Sequence, residues 1–127
     1  MVDIFRRSEE VGPVVEEALR ILAGSGAKYV CITDGKNGTM ATDGVQVYHC
    51  PIVECPVVDT TGAGDAFGTA ATWALLNGKD LPIALRAGTI NAMSVVGVIG
   101  AEPGLLTETQ IQSRLASTPI DISVREF

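Results

Sequence analysis

The sequence predicts an α/β fold, and three observations carry that expectation. Apolar residues recur every three or four positions over 11–22 and again over 66–75, the period of a helix with one buried face. A continuous apolar run with β-branched residues, "AKYVCIT" at 27–33, has the character of a strand. Further on, "VVDTTGAGDAFGTA" at 57–70 passes from an extended segment through glycines into a helix. The 127 residues, 46% hydrophobic and 19% charged, suit one modest core and a single domain over residues 1–127.

In chain order, the first helix rests on Val11, Val14, Val15, Ala18, Ile21 and Leu22, and Gly24 and Gly26 stop it. The run at 27–33 reads as a strand buried on both faces of a parallel sheet, ending at Asp34-Gly35. "GTMAT" and "VQVYHC" are two short strand-like runs separated by Asp43-Gly44, a pair that favours a tight hairpin turn because both residues tolerate positive φ. "VECPVVD" at 53–59 is another extended segment, with Pro56 suited to its edge or start.

After the glycines, Ala66, Phe67, Ala70, Ala71, Ala74 and Leu75 form one stripe, and Asn77-Gly78 closes that helix. Asp80 and Pro82 suit the first turn of the next helix, and "IALRAGTINAMSVVGVIG" is apolar nearly all round, so it needs cover on several sides. Thr107 and Gln110 fit a capping box that opens a last short helix. The tail "IDISVREF" carries no decisive pattern, and the chain has no internal repeat, linker or low-complexity segment.

Charge and composition narrow the function. The net charge is −6 and the pI is near 4.6. With no cluster of Lys and Arg, the footprint of a nucleic-acid binder is missing. Gly, Pro or charge breaks every long apolar stretch, and the N-terminus lacks the basic-then-apolar order of a signal peptide. The expectation is a cytoplasmic protein without a membrane segment. Cys31, Cys50 and Cys55 form no CxxC, which suggests small buried apolar residues rather than a disulfide framework or zinc site. His49 follows Tyr48 on a strand and reads as structural. Trp73, on the less apolar side of its helix, suits packing on a neighbouring layer or chain.

The glycine turn is where chemistry concentrates. A strand ending in Asp59, followed by Thr-Thr-Gly-Ala-Gly and a helix, leaves several N–H groups of the first turn aimed at one spot. The helix dipole makes that spot attractive to anions, and glycine lets a phosphate come close to the backbone. Asp65 would repel a phosphate if it lay inside the site. Beside the site, it can take the proton of a hydroxyl that attacks the phosphate. The helix terminus favours its charged form, so it would be a weak base, which suffices where the alcohol proton leaves late. A plain tight turn with an ordinary first-turn acid accounts for the same residues. A dinucleotide fingerprint fails because Phe67 stands where its third glycine belongs, and the G-K-[ST] ending of a Walker A loop is absent.

"DTTGAGDAF" at 59–67 resembles the C-terminal signature of the ribokinase-like, or PfkB, family of carbohydrate kinases. "VCITDGKNGTMA" resembles the family's strand and turn near the nucleotide, and "INAMSVVGVIGAEPGL" its late helix and following loop. The resemblance runs from about residue 11 to 115. It implies a three-layer α/β/α fold, here the C-terminal nucleotide-binding part, which phosphorylates a hydroxyl of a sugar or related alcohol with ATP and Mg²⁺.

The resemblance also implies roles. Asp65 matches the catalytic base, and the amides of Gly62, Ala63 and Gly64 match the anion hole for the moving phosphoryl group. Thr33, Gly35 and Gly38 match the turn beside the ATP phosphates and ribose. Asn91 falls where the late helix passes the adenine, although an asparagine in an apolar helix can equally bond a neighbouring carbonyl. In several members a monovalent cation such as K⁺ sits behind the anion hole; the matching residues are Asp59, Thr61, Val95, Val98 and Gly100. Gly104 stands where some members have a serine ligand.

The sugar-contacting residues, the lid and the first strands of the family have no counterpart in residues 1–127, and Ser8-Glu9-Glu10 does not reproduce the Asn-x-x-Glu motif that organises Mg²⁺. The chain therefore resembles the nucleotide half of a sugar kinase. A parallel sheet cut partway exposes an edge and an apolar face, which implies a homo-oligomer or a missing N-terminal half as partner. A non-catalytic nucleotide-binding or self-associating fragment remains the alternative.

Overall fold

The structure is a computed structural model that describes residues 11–100 and 104–127. Its chain separates into two units, residues up to Ile52 together with Asp121–Phe127, and Val53–Ile120.

In the first unit, helix α1 (Val11–Gly24) lies over a sheet of strands β1 (Val30–Thr33), β2 (Thr39–Thr42), β3 (Gln46–Cys50) and β4 (Ser123–Glu126). The apolar stripe seen in the sequence explains the contact only in part: Val15, Ala18 and Leu22 pack inward, but Val14 and Ile21 are exposed, and Leu19, which the stripe omitted, is fully buried. Val15 and Leu19 of α1 meet Val30, Ile32 and Val47 in a buried core, edged by Ala18, Leu22, Ala23, Met40 and Phe127. Each such buried side chain contributes about 1.5–3 kcal/mol of transfer free energy. The Glu16 carboxylate of α1 accepts from both terminal guanidinium nitrogens of Arg125 on β4, at 2.8 and 2.7 Å, and from Arg20 at 3.3 Å. The hydrogen bond from Arg125 leads the effects that hold the Glu16 carboxyl below its ordinary range.

The four strands run in the order β1-β2-β3-β4, and every neighbouring pair is antiparallel. This corrects the parallel strand expected at 27–33. Residues Val30 and Ile32 are buried while Cys31 and Thr33 are half-buried, so β1 covers one face fully rather than two. It pairs with the strand that immediately follows it, Val30 opposite Thr42. The tail without a decisive pattern becomes β4, with Gln46 opposite Glu126.

The β2–β3 connection falls at Asp43-Gly44 as expected, but by a different device. Only Gly44 has positive φ, at 91°. Asp43 keeps negative φ and instead accepts from the backbone N–H groups of Val45 and Gln46, each at 2.9 Å. An aspartate side chain that closes the turn in this way needs no second left-handed residue. His49 Nε2 lies 2.8 Å from the Asn37 carbonyl. Cys31, Cys50 and Cys55 are free thiols, and burial pushes the Cys31 thiol up to about 11.

The second unit is helical: α2 (Ala63–Leu76), α3 (Leu81–Val96) and α4 (Glu108–Ser117). Ala66, Phe67, Ala70, Ala71 and Ala74 form the buried stripe of α2, and Leu75 is half-buried. Alanines on both helices allow α2 and α3 to lie close, and the Phe67 ring occupies the space that a Cβ on Gly88 would need. Asp80 caps α3 by accepting from Ile83 N–H at 3.0 Å. Thr107 and Gln110 form the complete capping box of α4. Trp73 is half-buried on α2.

The extended segment expected at 53–59 joins no sheet. Pro56 has no N–H to offer a ladder, and the N–H groups of Val58 and Asp59 both donate to the Val96 carbonyl, at 2.7 and 3.1 Å. That segment is fastened to the end of α3, and Asp59 therefore follows a loop, not a strand.

Candidate active site

The loop Asp59–Gly62 leads into α2 and is shaped by its own short polar contacts. One oxygen of Asp59 accepts from both the hydroxyl and the N–H of Thr61, at 2.7 and 2.9 Å. The other accepts from Gly100 N–H at 3.0 Å. These bonds, the Thr61 hydroxyl foremost, hold the Asp59 carboxyl down at about 2. Gly62 stands at the N-cap with φ of 79°, a left-handed conformation natural only to glycine, and no side chain caps the helix.

Among the described residues, the uncapped start leaves donors open. Ala63 N–H makes a long turn bond to the Thr60 carbonyl at 3.3 Å, and Ala66 N–H bonds Gly62 at 2.9 Å. Among the described residues, no hydrogen bond takes up the N–H groups of Gly62, Gly64 and Asp65. Of the three amides expected to form the anion hole, two are open among the described residues and that of Ala63 is engaged. The Asp65 amide, which the motif did not single out, is the third open donor. Its signal was legible, since the first four N–H groups of any helix lack internal acceptors.

Asp65 lies in the first turn of α2 and is exposed. Among the described residues its carboxylate has no hydrogen bond or ion pair, while its carbonyl accepts from the Thr69 hydroxyl at 2.8 Å. Among the described residues, a carboxylate without a partner thus stands beside open amides at the positive end of a 14-residue helix.

Asn91 is 3% exposed on α3. Its Nδ2 donates to the Ala66 carbonyl and its Oδ1 accepts from Leu106 N–H, both at 3.0 Å. The bond to a neighbouring carbonyl, one of the two readings of this residue, is the one observed.

The remaining candidates near this turn are main-chain oxygens. The Val95 carbonyl accepts from the N–H groups of Gly97 and Val98, the latter at 3.3 Å. Together with the ionised Asp59, Thr61, Val98 and Gly100, the set offers oxygen donors only, which suits a hard cation. Gly104 packs so closely that an added Cβ would lie 2.5 Å from Val95 Cα and 2.7 Å from the Ser94 carbonyl. A serine at this position would not fit as the backbone stands. Among the described residues no three His, Cys, Asp or Glu side chains gather as a metal site. Ser8-Glu9-Glu10 and residues 101–103 lie outside the described residues.

In the other unit, Thr33 ends β1 opposite Thr39. Gly35, with φ of 50°, opens the short 3₁₀ turn Gly35–Asn37. Gly38 has φ of 83°, and a Cβ there would run into the Cys50 carbonyl oxygen. The turn is closed by Asp34 N–H to the Gly38 carbonyl at 2.9 Å and Gly38 N–H to the Gly35 carbonyl at 3.1 Å.

Residues 5–108 match the model of the pfkB family of carbohydrate kinases. The chain belongs to this family. Among its pfkB relatives are a fructosamine kinase of Bacillus subtilis, 41% identical over 85 residues, or 67% of this chain and 30% of the relative, and a ribokinase of the same species, 38% identical over 67% of this chain and 29% of the relative. The solved ribokinase of Arabidopsis thaliana, complexed with ribose and ATP, superposes with a TM-score of 0.75 at 30% identity, over 84% of this chain and 35% of that one. Ribokinase from Thermotoga maritima gives 0.73 at 30% identity over 80% and 34%. The fold is therefore the ribokinase-like α/β fold of the pfkB family, and the chain spans about a third of the length of these relatives. No helix among the described residues is long and apolar enough to cross a membrane.

Proposed function

We propose that this chain is the nucleotide side of an ATP-dependent carbohydrate kinase, which transfers the γ-phosphoryl group to a hydroxyl of a sugar or related small alcohol. The observation that carries the reading is the start of α2, where the open amides of Gly62, Gly64 and Asp65 adjoin a carboxylate with no partner among the described residues. Membership of the pfkB family supports it.

In this mechanism the amides receive charge that spreads over the phosphoryl oxygens, and the α2 dipole adds to them. Ala63 can join by exchanging its long bond to Thr60 for the phosphate. Asp65 orients the acceptor hydroxyl and takes its proton, a late event in a loose transition state, so positioning matters more than base strength. Thr33, Gly35 and Gly38 form the turn that meets the ATP phosphates and ribose. Mg²⁺ arriving with ATP would neutralise phosphate charge. A monovalent cation such as K⁺ would be held by Asp59, Thr61, Val95, Val98 and Gly100, adding positive charge near the anion site. The sugar and the residues that choose it belong to the part of the kinase outside this chain, and that part, or a second copy of this chain, is the expected partner.

The test compares Asp65 with Asp65→Asn in the chain extended to the family's full length, following ADP release on a panel of free pentoses and hexoses. Loss of the base should lower kcat by ~10³-fold, or roughly 4 kcal/mol in the barrier. An unchanged rate would remove Asp65 from the mechanism.

A further inference from the structure

Asn91 poses a question that the proposed mechanism does not use. It is a polar amide on a helix whose other buried residues are mostly Ala, Leu, Ile and Val, and a buried amide is costly unless both its ends are bonded. Here both ends are, to partners 25 and 15 residues distant along the chain. Among the described residues no buried side-chain nitrogen or oxygen lacks a partner.

The partners matter more than the satisfaction. The carbonyl that Asn91 holds belongs to Ala66, the residue directly after Asp65. The next residue, Phe67, has its ring against Gly88, which lies three positions before Asn91 on α3. Two consecutive residues at the start of α2 are thus fastened to two residues one turn apart on α3. The Phe67 contact sets how close the helices come, but apolar packing is non-directional. A hydrogen bond constrains distance and angle together, so the Asn91 bond also sets how far α2 is rotated and slid along α3.

We propose that Asn91 is a positioning residue for the Asp65 turn. Its Nδ2 fixes the Ala66 carbonyl, and through it the direction of the Asp65 carboxylate and of the open N–H groups. Its Oδ1 ties the Leu106 segment to the same point. The proposal rests on the kinase reading of that turn. Since Asn91 would act on alignment, its removal is felt in the chemical step, not in capture of ATP.

Two variants divide the contributions. Asn91→Asp keeps an oxygen for Leu106 and lacks the hydrogens for Ala66; Asn91→Ala lacks both. In the chain extended to family length, each should lower kcat by about 10²-fold while the KM for ATP stays within about twofold, measured per folded molecule. A kcat unchanged in both, or a loss confined to KM, overturns the proposal. Independently, amide hydrogen exchange on the 127-residue chain should quicken by about tenfold at residues 66–70 in Asn91→Ala, as for a lost hydrogen bond, with exchange late in α4 unaltered. Unaltered exchange at 66–70 also overturns it. If the unsubstituted protein transfers no phosphoryl group, the kinase reading fails by itself, and the exchange measurement still decides whether Asn91 holds the turn.

Discussion

Replacing Gly88 by alanine tests the contact that brings α2 against α3. In an exposed helix interior the change would stabilise by about 1 kcal/mol through backbone entropy. Here the new Cβ would stand 2.7, 2.8 and 3.0 Å from three atoms of the Phe67 ring. Ordinary carbon contacts lie at about 3.5–4.0 Å, so the ring or the helix must move by about 1 Å. Phe67 is only 3% exposed, which leaves the ring no route to solvent. Overpacking of this kind costs about 1–3 kcal/mol, and three simultaneous overlaps point to the upper end. The net expectation is a loss of about 2 kcal/mol, or about 8 °C in Tm for a chain of this size. Thermal and urea unfolding of Gly88→Ala, Phe67→Leu and the double variant would measure it. Shrinking the ring should relieve the clash, so the double variant should be more stable than the summed single effects by about 1–2 kcal/mol. A Gly88→Ala protein with a raised Tm, or strictly additive effects, would show that the ring does not rest on Gly88.

Gly38→Ala should destabilise by at least about 2 kcal/mol in urea unfolding, since it combines positive φ with a backbone oxygen that cannot yield; tolerance of alanine would refute the described turn. Asp59 should titrate near 2 by carbon NMR, below an unfolded value of about 3.9. Because the native value is the lower, its bonds favour the folded loop above pH ~4, and that contribution fades as pH falls through 2. A native midpoint at the ordinary value would mean that Thr61 and Gly100 do not hold the carboxylate. Thr107→Ala should cost about 1 kcal/mol by removing one half of the α4 capping box, and no change in the urea midpoint would count against that cap.

Much of the turn was legible because its determinants are local. Gly62 announces the left-handed backbone at the helix start, Asp65 follows in the first turn, and the stripe from Ala66 to Ala74 announces the helix behind them. The Asp80 and Thr107 caps, likewise, join groups three residues apart. Asp43-Gly44 marked the turn correctly but not its closure, because an aspartate can either adopt positive φ or use its side chain, and the dipeptide alone does not choose.

The family, the positions of the helices and the glycine-led turn from Asp59 to Asp65 could be read from the amino-acid order alone, because their signals come from residues within a few positions of one another. Tertiary structure decided the antiparallel direction of β1, the pairing of β4 with β3, the fastening of residues 58 and 59 to Val96, and the partners of Asn91 and Asp59. Asp59 meets Gly100 across 41 positions and Asn91 meets Ala66 across 25. Local pattern sets a residue's backbone preference and which face it shows. Which distant donor or strand reaches that face depends on closing long loops and filling a shared core, and those free energies belong to the whole packed chain.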